Sequence, residues 1–370
     1  MVMNKKTKNK GIRFLLSGLF FLMSLSSHAQ FTETREFVKR FKIQPETRID
    51  ITNKYGRVEL NTWKKDSVVI FFKMEINEKK PIKLEKTLGN LDFDISNSQH
   101  YLIVKTQVDK NRSQIESELL KFKETMLQTN GSIRIDLVVW LPDDHELRLE
   151  NKFGDIIMGD FQGETQIILS NGKLKCGDLP KRASLNLSFA DASINNLTNA
   201  RIVSNYSDIN LRNSGTLRLE TKSSTIEVLN SSDLSIDSRR DKYRIRIAEK
   251  LDVYGNFSHF MVTELKNKAN MRLSYGSLDI EKIQPDFSSI YVESRSTDLN
   301  LYFNPEAKFN FQITETKTDL NLGRELKVED KEVLDSKENK VRHSGYFSKK
   351  MKEDQLIINA VGGETNVLSY

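Results

Sequence analysis

The chain has 370 residues, with 57 Lys and Arg against 51 Asp and Glu, a formal net charge of +6 and one cysteine. Because five of the positive charges lie within the first 13 residues, the rest of the chain is close to neutral. That balance gives no electrostatic reason to expect a nucleic-acid partner. A single cysteine excludes an intrachain disulfide, so stability must come from a packed core.

Residues 1–29 have the pattern of a secretory signal peptide. Basic residues are followed by an apolar run over 14–26, and Ser27-His28-Ala29 supplies the small residues that precede a cleavage site. The run is short for a bilayer span, and an uncleaved anchor is the alternative. No later stretch is apolar enough to cross a membrane, so we expect an exported chain with no transmembrane segment after signal cleavage.

Residues 30–146 are predicted to form a β-rich N-terminal capping region with two helices, near 81–88 and 114–129. Pro81 suits the first turn of the first helix, and a Ser-x-x-Glu capping box precedes the second. The second helix carries an apolar stripe, which would either cover the open end of the main array or dock on a membrane or partner.

Residues 147–324 carry a β-pattern that recurs every 17 or 18 residues and ends with two wider steps of 21. Each unit has a polar residue and then two apolar residues separated by one position, as in a strand with one buried face. The first apolar positions are Ile156, Leu174, Ala192, Ile209, Ile226, Tyr243, Phe260, Leu278, Leu299 and Leu320. A unit this short cannot bury its own apolar face. We therefore predict an all-β fold, a single-chain β-solenoid of about ten short coils.

Residues 325–370 are predicted to complete the fold. The segment 325–354 is rich in charges of both signs, which suits a solvated loop or an extended hairpin. Residues 355–370 form two β-patterns around Gly362-Gly363, which we interpret as a C-terminal closing strand pair.

Two similar tetrapeptides, Asn53-Lys54-Tyr55-Gly56 and Asn151-Lys152-Phe153-Gly154, suggest a repeat-like strand pair that is separated from the main array. With the degenerate bends at 205–209 and 274–278, they resemble an exported bacterial β-strand-repeat family of unknown function. This family is common in Bacteroidetes-type bacteria, and its members are often described as adhesins. The resemblance implies a β-solenoid in the periplasm or on the cell surface of a Gram-negative bacterium, and it implies no catalytic residues.

Acidic and aromatic residues recur at the bends. Stacked carboxylates could bind Ca²⁺ or serve catalysis, although Asp also suits a bend. These residues are Asp155, Asp191, Asp208, Asp298 and Asp319. The aromatic rings could face sugars or pack at corners. They belong to Tyr55, Phe153, Phe189, Tyr206, Phe257 and Tyr275.

The sharpest basic cluster comprises Arg239, Arg240, Lys242, Arg244 and Arg246. Alternation with apolar residues places Lys242, Arg244 and Arg246 on one outward strip. This possible ligand-contact surface could bind phosphate, sulfate or uronate groups; the alternative is a solvated face that nearby acids neutralise. Those acids are Asp237, Asp241 and Glu227.

Catalytic signatures are missing from the sequence. There is no phosphate-binding loop, zinc motif or nucleophile elbow, and Cys176 falls at an inward position where we expect a buried thiol. We therefore expect an adhesin-like binding or scaffolding protein of the cell envelope, with no enzymatic activity, cofactor or metal. Its partner would be an envelope protein or glycan. The alternatives are a polysaccharide-active β-helix enzyme and an envelope-sensing component that acts through a protein partner.

Overall fold

The computed structural model describes residues 31–108 and 132–370. Within these ranges the chain is all-β with one helix, and the strands belong to one mixed sheet of 23 strands. The predicted signal peptide and the predicted helix near 114–129 lie outside the described residues.

The elements follow in chain order. The first half contains β1 (Phe31–Lys42), β2 (Arg48–Lys54), β3 (Val58–Trp63), β4 (Ser67–Glu78), α1 (Pro81–Asn90), β5 (Leu91–Asn97), β6 (Tyr101–Val108), β7 (Ser132–Pro142), β8 (Leu147–Lys152), β9 (Ile156–Met158), β10 (Thr165–Asn205) and β11 (Asp208–Lys222). The second half contains β12 (Thr225–Arg239), β13 (Lys242–Asn256), β14 (His259–Ser274), β15 (Ser277–Ile283), β16 (Ser289–Arg295), β17 (Asp298–Phe303), β18 (Phe309–Thr316), β19 (Asp319–Leu322), β20 (Leu326–Asp335), β21 (Lys340–Phe347), β22 (Asp354–Val361) and β23 (Glu364–Ser369).

The smaller of two compact units contains helix α1. The described residues of this unit are 31–35, 74–91 and 132–134. The helix confirms the one expected near 81–88, with Pro81 in its first turn, where a missing amide proton breaks no intrahelical bond. None of the helix residues is buried.

The larger unit contains residues 36–73, 92–108 and 135–370. Its repeats each consist of a strand, a corner and a second strand, which we call a winding. Successive windings pair in parallel. The first apolar residue of one winding is the direct partner of the first apolar residue of the next winding. The partners are Ile156 with Leu174, Ala192 with Ile209, Ile209 with Ile226, Ile226 with Tyr243, Tyr243 with Phe260, Phe260 with Leu278, and Leu278 with Leu299. All of them are buried, because period-two alternation turns the same set of positions inward in every winding.

The strand pair around Asn53 is not separated from the array, contrary to the sequence-based interpretation. Ile49 of β2 pairs with Leu147 of β8, and Val58 of β3 pairs with Ile156 of β9, both in parallel. The two strand pairs have similar corners, at residues 53–56 and 151–154, and these corners lie next to each other. This contact joins segments about a hundred positions apart in the chain, so the short period could not reveal it.

Two buried asparagines hold these neighbouring corners together. Asn53 Nδ2 donates to Asn151 Oδ1 over 3.3 Å, and Asn151 Nδ2 donates to the carbonyl of Gly56 over 2.8 Å. Both asparagines are almost fully buried. Side-chain amides therefore satisfy backbone groups that the corners leave unpaired.

The C-terminal strands also differ from the expectation of a closing pair at the end of the array. The strand β22 lies between β16 and β18, and β23 lies between β17 and β19. Thr365 therefore pairs with both Leu299 and Leu320, which the repeat alone predicts to be neighbours. The insertion is possible because β22 and β23 have the same alternation and a corner at Gly362-Gly363.

Side-chain hydrogen bonds follow the inserted strand. Asn366 Nδ2 donates to Asn300 Oδ1 over 2.9 Å, and Asn321 Nδ2 donates to Asn366 Oδ1 over 3.0 Å. The preceding charged segment forms the extended hairpin β20–β21, in agreement with one of the two alternatives. Strand β21 also pairs antiparallel with β18, so the hairpin covers an edge of the parallel windings.

Apart from the corner at Gly362-Gly363, the corners named next each contain a non-glycine residue with a left-handed backbone conformation. The residues are Tyr55, Phe153, Asn171, Phe189, Tyr206, Ser223, Arg240, Phe257, Tyr275, Ser296 and Lys317, with φ between 45° and 64°. Such backbones are unfavourable for residues with a Cβ, so hydrogen bonds must hold the corners. The amide of Ala190 donates to Ser207 Oγ over 3.1 Å, and the amide of Ser207 donates to Ser224 Oγ over 3.2 Å.

Substitution of a corner glycine tests how closely the windings approach. A Cβ at Gly276 would overlap the carbonyl oxygen of Ser258. We expect Gly276→Ala to lower the free energy of unfolding by about 1–3 kcal/mol, as overpacking usually does. Denaturant unfolding would measure the change. Gly159→Ala is the matched control, since a Cβ there meets no atom within 4 Å; equal stability loss in both variants would contradict the close approach at Gly276.

Candidate ligand groove

A groove of about 760 Å³ lies on the outer face of the strands that follow the corners, across the windings from β9 to β14. Outward side chains from successive windings line it, and parallel pairing of the strands fixes their order. Since each winding contributes a short outward row, the groove runs along the stacking direction rather than along any one strand.

Two of the three predicted contact residues line this groove. Arg244 and Arg246 are exposed and belong to its lining, whereas Lys242 is exposed but lies outside it, paired with Thr225 and His259 at the start of the strands. Arg244 Nη1 forms an ion pair with Glu227 of the preceding winding, as expected from stacking. That carboxylate therefore neutralises Arg244.

Sequence reasoning missed two further cations, Lys175 and Arg212. Both are exposed and line the same groove. Within residues 31–108 and 132–370, neither they nor Arg246 take part in an ion pair. Adding the period of 17 to Arg212 gives Leu229, and adding it again gives Arg246. Comparing outward positions between windings, instead of along one strand, would have found them.

Neutral groups complete the lining. Ser193, Asn195, Asn210 and Thr263 supply hydrogen-bonding side chains. Leu229 and Met261 are exposed at 39% and 47% and offer apolar surface beside the cations. This mixture suits a ligand that has both charged groups and apolar faces.

A ladder of side-chain amides fixes the turn beside the groove. Asn196 Nδ2 donates to Asp178 Oδ1 over 2.6 Å, Asn213 Nδ2 donates to Asn196 Oδ1 over 2.6 Å, and Asn230 Nδ2 donates to Asn213 Oδ1 over 2.8 Å. Asn195 also donates to Asp178. Because each amide holds the next, the outward residues are presented on a rigid edge.

Asp241 does not neutralise the basic cluster in the way the sequence suggested. Its carboxylate is buried and accepts hydrogen bonds from the amides of Ser224 and Arg239 over 2.7 and 2.9 Å. It also accepts bonds from the hydroxyls of Thr221 and Ser238 over 2.6 and 2.7 Å. Asp241 therefore holds the corner, and the arginine side chains remain on the surface.

The acidic bend residues are spread along the windings. Asp191 and Asp208 are direct partners, but Glu364 of β23 lies between Asp298 and Asp319, which the sequence placed on successive coils. Across the described ranges, no three His, Cys, Asp or Glu side chains are grouped so that they could hold a metal ion.

The aromatic bend residues stack on one another in three pairs. The ring centroids are 5.5 Å apart for Tyr55 and Phe153, 5.2 Å for Phe189 and Tyr206, and 4.9 Å for Phe257 and Tyr275. Asn171, Ser223 and Arg240 occupy the intervening corners. Packing between neighbouring windings therefore accounts for the rings, although all of these residues except the half-buried Tyr55 are exposed.

Cys176 belongs to the groove lining but is buried, as expected from its inward position. Burial, with the nearby carboxylates of Asp160 and Asp178, raises the pKa of its thiol to about 12. The thiol therefore stays protonated at neutral pH, and a protonated buried thiol is a poor nucleophile.

Replacing Asp241 tests the corner network. We expect Asp241→Ala to lower the free energy of unfolding by about 1–3 kcal/mol or more, because buried donors lose their acceptor. Asp241→Ser, which restores the residue type of the neighbouring corners, should cost less. Thermal or denaturant unfolding would measure both. Asp237→Ala removes an exposed carboxylate from the same winding and should change stability by less than about 0.5 kcal/mol; a loss equal to that of Asp241→Ala would contradict the network.

Thiol labelling tests the burial of Cys176. We expect no reaction of the folded protein with a maleimide at pH 8, because the thiol is inaccessible and its raised pKa keeps it protonated. The unfolded protein should react fully, as mass spectrometry would show. Cys176→Ala combined with Ser193→Cys, which places a thiol at an exposed position nearby, is the control and should react when folded. Rapid labelling of native Cys176 would contradict the packing.

No protein-family model and no curated protein matches the chain. No helix among the described residues combines the length and apolar character needed to cross a membrane. Among solved structures, the chain is similar to a crystal structure described as a "putative cell adhesion protein" from Clostridium sporogenes. The sequence identity is 10% and the TM-score is 0.16, with 91% of this chain and 100% of that chain covered.

Proposed function

We propose that this chain is an exported β-solenoid of the cell envelope, without enzymatic activity, that binds an anionic envelope ligand along the groove. One observation carries the proposal: Lys175, Arg212 and Arg246 line one groove on in-register windings and have no ion-pair partner among the described residues. Exposed cations that lack internal partners can engage an anion without first breaking a salt bridge.

The solenoid part of the proposal is supported by the register of the windings. Parallel pairing continues from β8 and β9 to β17, and the equivalent positions of each winding face inward. A stack of this kind presents a long row of fixed side chains, which suits an extended ligand better than a small enclosed one. Export is proposed from the leader-like pattern at residues 1–29.

A non-catalytic role is supported by the tasks that the acidic residues already perform. Asp155 Oδ1 accepts the amide of Lys173 over 2.9 Å, and Asp298 Oδ1 accepts the amide of Glu364 over 3.1 Å. Asp241 is occupied by four donors. Carboxylates engaged with backbone amides serve the corners, whereas glycoside hydrolysis needs two carboxyl groups that flank one bond.

Neutralising the groove tests the proposed function. We expect Lys175→Gln, Arg212→Gln and Arg246→Gln in one variant to weaken binding of heparin, used as a generic polyanion, by about tenfold or more, because charge-assisted contacts are lost. Isothermal titration calorimetry at two salt concentrations would measure the dissociation constants of the wild type and the variant. Salt should weaken wild-type binding more than binding of the variant, since exposed charges are screened.

The matched control removes the same number of charges elsewhere. Lys222→Gln, Lys250→Gln and Lys268→Gln change three lysines that lie outside the groove lining. This variant should bind like the wild type. If both triple variants lose affinity equally, net charge rather than the groove explains binding, and the proposal fails.

A further inference from the structure

We infer that the groove selects a linear acidic glycan whose negative charges lie on every second sugar. The inference rests on the function proposed above and adds the class of ligand. It comes from the order in which cationic, apolar and paired side chains follow one another across the windings.

Arg212 and Arg246, which have no ion-pair partner in the part of the chain that the structure describes, are separated by one winding. The pairs Leu211 with Val228 and Val228 with Ile245 place Arg212, Leu229 and Arg246 next to one another in a single outward column. Neighbouring strands are about 4.8 Å apart, so the two guanidinium groups emerge from strands about 9.6 Å apart. A ligand that follows this column meets a cation at every second winding.

The residue between the two arginines is apolar. Leu229 is 39% exposed and belongs to the groove lining. Sugar rings have apolar C–H faces as well as hydroxyl groups, so an uncharged sugar can lie over Leu229 while its charged neighbours reach Arg212 and Arg246. A polymer with a charge on every unit would bring one of its anions against the leucine.

A second column of outward residues, which contains Asn210, Glu227 and Arg244, runs beside the first and does not change this spacing of the cations. Arg244, which lies in the winding of Arg246, is already paired with Glu227, so it adds no free cation there. At the other end of the groove, Lys175 lies two windings before Arg212. Lys175, Arg212 and Arg246, which have no ion-pair partner within residues 31–108 and 132–370, therefore recur at alternate windings across the groove.

The lining favours a glycan over a nucleic acid. None of the described residues that line the groove is aromatic, whereas surfaces that bind single-stranded nucleic acids use aromatic side chains to stack bases. The neutral side chains of Asn195, Asn210 and Thr263 can instead donate to and accept from sugar hydroxyls.

The test moves one cation by one winding without changing the net charge. Arg246→Leu combined with Leu229→Arg places two arginines on adjacent windings. The probes are a hexasaccharide of alternating glucuronate and N-acetylglucosamine and a hexamer of galacturonate, which has a charge on every sugar. We expect the variant to lose about tenfold in affinity for the alternating glycan, as for one charge-assisted contact, and to keep or gain affinity for oligogalacturonate. Calorimetry would give both dissociation constants.

The other outcomes separate this inference from the proposed function. If the wild type binds both glycans equally and the transposition changes neither affinity, the spacing inference is overturned while the anion-binding groove stands. If the wild type binds neither glycan nor heparin, both are overturned. Tighter binding of a single-stranded oligonucleotide than of either glycan would overturn the ligand class. Leu229→Arg alone controls for the added arginine, and unchanged unfolding transitions show that the variants are folded.

Discussion

The in-register parallel pairing of the windings is the constraint on which the rest of the structure depends. A shift of one residue would turn Ile226, Tyr243 and Phe260 outward and expose them to water, at about 1.5–3 kcal/mol for each large apolar side chain. The register is therefore held by the inward column, in which these residues are almost fully buried. Once it is fixed, the position of every outward residue follows.

The corners show how the chain keeps that register while it changes direction. Left-handed backbones at residues such as Tyr206 and Arg240 are costly, and side-chain oxygens compensate for them with hydrogen bonds between windings. At Ser207 and Ser224 one hydroxyl per corner suffices, whereas Asp241 accepts four bonds. Buried polar groups of this kind oppose slippage because a displaced winding would leave them unsatisfied.

The fixed register also determines how the side chains that line the groove are arranged. Among the described residues, Arg212 and Arg246 form no ion pair although Glu227 lies nearby, because Glu227 is bound to Arg244 in the adjacent outward column. Fixed windings keep Leu229 between the two arginines. In the binding mode proposed above, this alternation of charge and apolar surface would be presented on an already ordered backbone, which lowers the entropic cost of recognition.

The sequence by itself determined the all-β class, the inward column from Ile156 to Leu299, the helix at Pro81, the buried Cys176 and the exposed strip at Lys242, Arg244 and Arg246. These features depend on local alternation and on a constant period, both of which are visible in one dimension. Only the tertiary structure decided which windings are neighbours when the chain order is broken: β2 and β3 against β8 and β9, and β22 and β23 between earlier windings. The same holds for the groove, in which Lys175, Arg212 and Arg246 meet. Strand pairing is specified by complementary faces and hydrogen bonds, not by distance along the chain, so such contacts arise only after the windings have packed.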